Sequence, residues 1–255
     1  MELYRECIGH GAPVMLIHGV LSDHTFFSGA AKCLSACCKV ISYDRRGYGE
    51  NASADGADYS LDTQAEDAYR VLRSFDDAPA CIVGHSAGAH IALALALRYP
   101  HAVKKVVLIE PSLAFAADDA KLLADWRSEL AQYAARGRLL QIVSSFQRIT
   151  GAKRSAKPSA PGVQLDRMRK NLRAFACGDL RELNAFTPPE AELRQLDIPV
   201  FVAVTQTEPE NVFYRTAIHD SAYFGWPLVS LPGTHASLDE AAEPFAEKLC
   251  EILQI

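Results

Sequence analysis

The 255-residue sequence has no apolar run long enough to cross a membrane. Its apolar stretch at residues 91–97 ends at Arg98, whereas a membrane helix needs roughly 20 such residues. Blocks of like charge are missing too. The chain has 26 Lys plus Arg against 31 Asp plus Glu, a balance that does not favour nucleic acid as a partner. The first residues lack the basic and then apolar pattern of a signal peptide. We therefore expect a cytoplasmic protein with neither a membrane nor a nucleic-acid partner.

Disulfide and metal patterns are also missing. The seven Cys are odd in number, and Cys33, Cys37 and Cys38 cluster with no His or second Cys pair at zinc-finger spacing. Gly and Pro, at 15 and 13 residues, are near average, which excludes collagen-like repeats and wholesale disorder. A chain of this length buries roughly 70–75% of its unfolded surface without a staple. We expect reduced thiols, no metal and no cofactor.

Short apolar runs alternate with helical patterns along the chain. Six runs of strand length end at turn residues: 14–17, 39–43, 80–83, 103–109, 199–204 and 228–231. Such runs are typical of strands buried on both faces, as in a parallel sheet. Helical patterns cover residues 61–75, 87–99 and 238–253. The alternation predicts an α/β fold with a mostly parallel sheet flanked by helices.

One stretch, residues 112–195, interrupts this alternation, and we call it the helical insertion. Its helical patterns cover residues 120–149, 163–176 and 179–186, and the polar segment 150–162 is interpreted as a loose hinge or loop. The insertion carries 14 Lys plus Arg against 9 Asp plus Glu. Either a solvated basic face or a preference for anionic substrates accounts for that excess. We predict a core domain, residues 1–111 and 196–255, and a second unit, residues 112–195.

Gly84-His85-Ser86-Ala87-Gly88 is the strongest chemical signal. It follows a buried-type strand and opens a helix, the context that a G-x-S-x-G nucleophile elbow requires. The sharp turn forces Ser86 into an unfavourable backbone conformation, and Gly84 and Gly88 remove side chains that would clash. The hydroxyl then lies at the amino end of the next helix, where free amides stabilise negative charge. Ser86 is the predicted nucleophile.

Three more motifs occur in a matching order: His18-Gly19 after the first strand, Asp44-Arg45-Arg46-Gly47-Tyr48-Gly49 after the second, and His235 before the last helix. With the elbow, they make the chain resemble the α/β-hydrolase superfamily over nearly its whole length. The resemblance implies a helical cap, or lid, formed by the insertion. It also implies that His235 is the general base and that the backbone amides of Val20 and Ala87 form the oxyanion hole.

The carboxylate partner of His235 is left between two residues. Glu208 has the position that most of the superfamily uses, which gives it a slight preference. Against it stand Thr205, where the superfamily usually has Gly, and Pro209, which restricts the backbone of Glu208. Glu110 ends the strand directly after the nucleophile helix, a place that some members use instead.

The resulting hypothesis is a serine hydrolase without cofactor or metal. It would cleave a small or medium ester, thioester, lactone or amide through an acyl-enzyme on Ser86. Phe26 and Phe27 follow the oxyanion loop and are candidates for the substrate pocket. Two alternatives use the same residues: a C–C bond hydrolase or perhydrolase, and a ligand-binding or signalling protein with slow turnover. Oligomeric state and substrate identity stay open.

Overall fold

A single sheet organises the protein. The computed structural model describes residues 2–51, 56–150, 161–185, 189–206, 211–238 and 241–255. In these ranges the strands are β1 (Arg5–Ile8), β2 (Pro13–Ile17), β3 (Lys39–Tyr43), β4 (Ala80–His85), β5 (Val103–Ile109), β6 (Val200–Thr205) and β7 (Leu228–Leu231). Their order is β1-β3-β2-β4-β5-β6-β7. All neighbours are parallel except β1 and β3. The predicted α/β fold with a mostly parallel sheet is confirmed.

Strand β1 was not among the predicted strands. Its four residues pair antiparallel with β3, from Arg5 opposite Tyr43 to Ile8 opposite Val40. It lies at the sheet edge, where its side chains alternate between half-buried and exposed. A short alternating strand has no apolar run, so the criterion that finds the buried strands does not find this one.

Helices cover both faces of the sheet. They are α1 (Ser28–Leu34), α2 (Leu61–Arg73), α3 (Ala87–Arg98), α4 (Ala117–Ala135), α5 (Leu139–Thr150), α6 (Pro161–Ala174), α7 (Leu180–Ala185), α8 (Glu190–Arg194), α9 (Val212–Phe224) and α10 (Ala242–Leu253). Leu72 of α2 and Ile91 of α3 belong to the apolar core on one face. Leu34 of α1 and Leu249 of α10 belong to the core on the other. Within the described ranges, no helix combines the length and apolar character that spanning a bilayer requires.

The described part of residues 112–195 is helical and contains no strand. The helix predicted over residues 120–149 is two helices, α4 and α5. Gly137 follows α4 with φ +65°, a left-handed conformation that ends helices and that glycine adopts without strain. A π-helical turn, Phe175–Asp179, joins α6 to α7. Most of the predicted hinge at 150–162 falls on residues 151–160, outside the described residues.

An aromatic cluster joins the insertion to the rest of the protein. Trp126 of α4 packs edge-on against Phe146 of α5 and against Phe213 of α9, with ring centroids 4.7 and 5.8 Å apart. Tyr48 and Tyr59, from loops outside the insertion, belong to the same buried cluster. This packing sets the insertion against the carboxyl edge of the sheet, where ligands bind in α/β proteins.

Candidate active site

Ser86 lies in a strained turn between β4 and α3. Its backbone has φ 51° and ψ −120°, a conformation that costs a non-glycine residue about 1–3 kcal/mol. The Ser86 amide donates a 2.9 Å hydrogen bond to the carbonyl of Ile109 on β5, which helps to fix the turn. A Cβ on Gly84 would lie 2.4 Å from the Gly88 carbonyl oxygen, and one on Gly88 would lie 2.2 Å from that of Ile17. Both positions therefore require glycine.

The loop after β2 passes directly beside Ser86. A Cβ on Gly19 would lie 3.0 Å from the Ser86 Cβ. Val20 and Ala87 line the same cleft as Ser86. Neither of their amides donates a hydrogen bond to another described residue, and Ala87 occupies the first position of α3, where helix amides lack partners. Both N–H groups are thus available to an oxygen placed next to Ser86.

His18 fixes the shape of that loop. Its buried ring bridges two backbone groups, since Nδ1 lies 2.8 Å from the Gly19 carbonyl oxygen and the Arg45 amide donates to Nε2 at 3.0 Å. The Arg45 bond requires an unprotonated Nε2, so Nδ1–H is the donor to Gly19. Burial and the nearby Arg45 charge lower the pKa of His18 to about 4. A neutral, doubly bonded imidazole is a positioning group here.

Glu110 and His235 form a close buried pair. Glu110 directly follows β5 with a left-handed φ of 46°, and its Oε2 lies 2.5 Å from Nδ1 of His235. Burial alone would raise the pKa of Glu110. The hydrogen bond and charge of His235, with hydrogen bonds from Thr205, outweigh it and lower that pKa to about 2. The His235 ring also stacks on Phe213, with centroids 4.5 Å apart and planes within 8°.

Thr205 is a site residue that the sequence reasoning missed. At the end of β6, its amide and its hydroxyl both donate to Oε1 of Glu110, at 2.7 and 2.5 Å. In the sequence, Thr205 stands out only as a departure from the glycine usual in the superfamily. A hydroxyl residue ending the strand beside β5 was the available signal, because neighbouring parallel strands end at one edge.

The two candidate acids have different standing in the structure. Glu110 contacts His235, whereas Glu208 lies outside the described residues. Ser86 is close to this pair, because Phe213, which stacks on His235, lines the cleft of Ser86. Among the described residues, the Ser86 hydroxyl makes no hydrogen bond to the His235 ring. Such bonds are often long without substrate and tighten in the substrate complex.

The cleft beside Ser86 is narrow. Most of its wall comes from the insertion and is apolar, with one guanidinium. It is lined by Val20, Ser86, Ala87, Ser112, Trp126, Arg127, Leu130, Phe146, Phe175, Leu180, Leu183 and Phe213. The predicted pocket residues lie elsewhere: Phe27 is buried in the core beside α1, and Phe26 stacks on His85 with centroids 4.4 Å apart.

A buried ion pair ties the insertion to the loop after β3. The Arg45 guanidinium pairs with Asp179, and both side chains are 2% exposed. Arg45 also donates to Gln64 Oε1, at 2.9 and 2.7 Å, and to the Gly19 carbonyl at 3.2 Å. Tyr48 donates to the same Asp179 oxygen at 2.7 Å. Arg45 thus connects the loop beside Ser86 with the π-helical turn of the insertion.

One described group of side chains has the spacing of a metal site. Ligand atoms of Asp23, His24 and Asp44 lie within 4.8 Å of one another. Their carboxylates already accept protein donors. Asp44 accepts from the His24 amide and ring at 2.8 and 2.7 Å, and Asp23 accepts from the Thr25 amide at 3.0 Å. The group is accounted for as a brace between two loops.

Comparison with known proteins gives the family of the chain. Residues 12–210 match the family described as having the alpha/beta hydrolase fold. The chain belongs to the α/β-hydrolase family, and it is a hydrolase of that fold.

Relatives span nearly the whole chain. The "uncharacterized hydrolase YraK" of Bacillus subtilis is 24% identical, covering 99% of this chain and 93% of its own. The esterase EaEST of Exiguobacterium antarcticum superposes with a TM-score of 0.78 at 19% identity, covering 99% of this chain and 96% of its own. A thermophilic esterase of Thermogutta terrifontis gives 0.74 at 21% identity, covering 99% and 93%. At these identities the solved structures establish the fold.

Proposed function

We propose that the protein is a serine hydrolase that cleaves a small or medium ester, thioester, lactone or amide. Ser86 is the nucleophile, His235 the general base and Glu110 the carboxylate that orients it. The observation that carries the proposal is the 2.5 Å contact between Glu110 Oε2 and His235 Nδ1, next to a serine in a strained elbow. Two relatives that share the fold are named esterases, which supports this reaction class.

The position of the proton on His235 determines which ring nitrogen can act as the base. Glu110, with a pKa of about 2, is a carboxylate at neutral pH and accepts a hydrogen bond from Nδ1–H. The neutral ring then has its free electron pair on Nε2. As Ser86 Oγ attacks the acyl carbon, Nε2 takes the hydroxyl proton, and the imidazolium is stabilised by Glu110. His235 returns this proton to the leaving group, and a water activated in the same way releases the acid.

The negative charge that develops on the acyl oxygen needs prearranged donors. The Val20 and Ala87 amides meet this need, because each lines the cleft of Ser86 and has no partner among the described residues. Each such donor stabilises the transition state by about 3–4 kcal/mol. His18, Arg45 and their bonds to Gly19 hold the first of these amides in place.

The insertion serves as the cap in this proposal. Trp126, Leu130 and Phe146 come from α4 and α5 and form much of the cleft wall. An apolar wall favours a substrate with a hydrocarbon part. We place the reaction in the cytoplasm, where the seven free thiols stay reduced.

A fluorophosphonate probe tests the proposal, because it reacts only with an activated serine. We expect it to label the protein on Ser86 and to inhibit hydrolysis of aryl esters. Ser86→Ala should lose labelling and turnover with an unchanged melting temperature. Ser144→Ala, an exposed serine on α5, should keep both. Slow turnover of every ester despite fast labelling would contradict the proposed hydrolase and favour a ligand-binding protein.

A further inference from the structure

Arg127 is a cation in the wall of the Ser86 cleft without an acidic partner among the described residues. It projects from α4 and is partly buried. Its guanidinium donates only to neutral groups there: to the Leu183 carbonyl at 3.0 Å, and to the Ser112 carbonyl and hydroxyl at 3.4 Å. By contrast, the two arginines of the loop after β3 have acidic partners: Arg45 pairs with Asp179, and Arg46 pairs with Asp67.

The surroundings do not offset this charge. Burial lowers the pKa of Arg127 to about 10, so the group is still a cation at neutral pH. The neighbouring His90 is neutral, since burial and the charges of Arg127 and Arg45 lower its pKa to about 3, and it does not offset the charge of Arg127. A partly desolvated cation bonded only to carbonyls and a hydroxyl is costly to maintain. An anion that enters with a ligand removes that cost.

We infer that Arg127 is a specificity-determining residue that binds a carboxylate on the substrate. The inference rests on the proposed function and narrows it to esters, lactones or amides that carry a carboxylate away from the scissile bond. A planar guanidinium matches the two oxygens of one carboxylate, and one cation neutralises one negative charge. Trp126 and Phe146 beside it suit the hydrocarbon chain between the two groups.

The basic excess of the insertion fits this inference. The composition allows two explanations, a solvated basic face or a preference for anionic substrates. The first applies to exposed residues such as Lys121, whose side chain is 78% exposed and paired with Asp125. Arg127 is on the same helix but faces the cleft. Position, and not overall charge, therefore distinguishes the residue that meets the substrate.

Two matched pairs of esters test the inference. The first pair, 4-nitrophenyl hydrogen adipate and 4-nitrophenyl hexanoate, differs by a carboxylate on the acyl part. The second pair, 3-carboxyphenyl butanoate and phenyl butanoate, differs by a carboxylate on the leaving group. We expect the wild-type enzyme to prefer the charged member of at least one pair in kcat/KM, and Arg127→Met to reduce that kcat/KM by roughly 10- to 100-fold. The neutral member should lose less than the charged member, because it has no carboxylate for the guanidinium to bind.

Variants separate charge recognition from packing. Arg127→Lys keeps the charge but loses the fork, so it should recover part of the preference. Lys121→Met removes the same charge from the exposed face of α4 and should leave both pairs unchanged. Circular dichroism and melting curves verify that each variant folds. No preference in either pair, or an equal loss for charged and neutral esters in Arg127→Met, would overturn the inference.

A binding measurement separates this inference from the proposed reaction. Calorimetric titration of the Ser86→Ala protein with adipate reads the Arg127 site without turnover. Binding that is lost in Ser86→Ala/Arg127→Met supports the inference even if no ester is hydrolysed. The opposite outcome has two parts: the wild type cleaves neutral esters and is labelled on Ser86, while adipate binds Ser86→Ala and Ser86→Ala/Arg127→Met alike. In that case the inference fails and the hydrolase proposal stands.

Discussion

Thr205 holds the carboxylate oxygen of Glu110 that faces away from His235. Its amide and hydroxyl donate to Oε1 at 2.7 and 2.5 Å, while Oε2 meets the imidazole. The two oxygens therefore have separate partners: Thr205 anchors one, and the other contacts the imidazole of His235. A carboxylate fixed at one end cannot rotate away from the ring, which is the condition for a stable Nδ1–H tautomer.

Replacing Glu110 with Gln should reduce kcat for an aryl ester by up to roughly 10⁴-fold, because the imidazole loses its orienting charge. The amide keeps the size of the side chain, so the melting temperature should change much less than kcat. Glu247→Gln, on the exposed face of α10, is the control and should have full activity. Glu208→Gln should cost far less than Glu110→Gln. If Glu110→Gln and Glu208→Gln each keep more than about a tenth of the activity, neither Glu110 nor Glu208 orients His235 alone.

Thr205→Val removes the hydroxyl but keeps the amide donor and the shape of the side chain. Since one of the two bonds to Oε1 is lost, we expect kcat to fall by roughly tenfold with little change in KM. The pKa of Glu110 should rise, because the carboxylate loses one of the hydrogen bonds that stabilise its charge. Thr205→Ser should restore both properties. An unchanged kcat in Thr205→Val would show that the hydroxyl only fills space.

Asp220 gives the protein a stability that depends on pH. Burial raises its pKa to about 6, although backbone amides of the segment after Pro111 donate to it. The unfolded value is 3.8, so the folded state binds the proton more tightly. Its contribution is present below pH 3.8 and is lost as pH rises through about 6. We expect wild-type stability to fall over this window by up to about 3 kcal/mol relative to Asp220→Asn.

Urea unfolding at pH 4 and pH 7 measures this difference. The comparison uses the change between the two pH values, because Asn also alters the hydrogen bonds to Ala114 and Phe115. Asp62→Asn is the matched control, since the Asp62 side chain is 83% exposed. Equal pH dependence in the wild type and Asp220→Asn would contradict the raised pKa.

Much of the fold was predictable because its signals are local. An apolar run of strand length ended by a turn residue is visible in the sequence, and six of the seven strands have one. Strand β1 has none, because its side chains alternate between half-buried and exposed. Ser86 is equally visible, since the steric demands of the elbow are met by glycines two residues away on each side.

The partners within the site were less predictable: the resemblance gave both Glu110 and Glu208 as candidates for the partner of His235, and the sequence did not decide between them. Glu110 and His235 are 125 residues apart in sequence, so their contact depends on strand order, which the pattern does not specify. Thr205 came to notice only as an exception. Arg127 is one of 14 basic residues in the insertion, and no periodicity separates it from the others. A missing ion-pair partner is a property of the folded chain.

The Arg45–Asp179 pair should be among the strongest electrostatic contributions to stability. Both side chains are 2% exposed, so removing one charge leaves the other buried without compensation. Asp179→Asn should therefore lower the free energy of unfolding by about 3–5 kcal/mol. Changing both residues, as in Arg45→Met/Asp179→Leu, removes the uncompensated charge and should cost less than the sum of the single changes. Additive costs in the double-mutant cycle would show that the two groups do not interact.

The same pair should also affect the reaction, because Arg45 donates to the Gly19 carbonyl in the loop beside Ser86. With Asp179 neutral, the guanidinium has one fewer anchor, and the Val20 amide is held less firmly. We expect kcat of Asp179→Asn to fall while fluorophosphonate still labels Ser86. The control is Glu190→Gln, which breaks the exposed Arg194 pair and should cost no more than about 1 kcal/mol with kcat unchanged. Full activity in folded Asp179→Asn would show that the pair has a structural role only. It would also show that the loop carrying Val20 keeps its position without this link to the insertion.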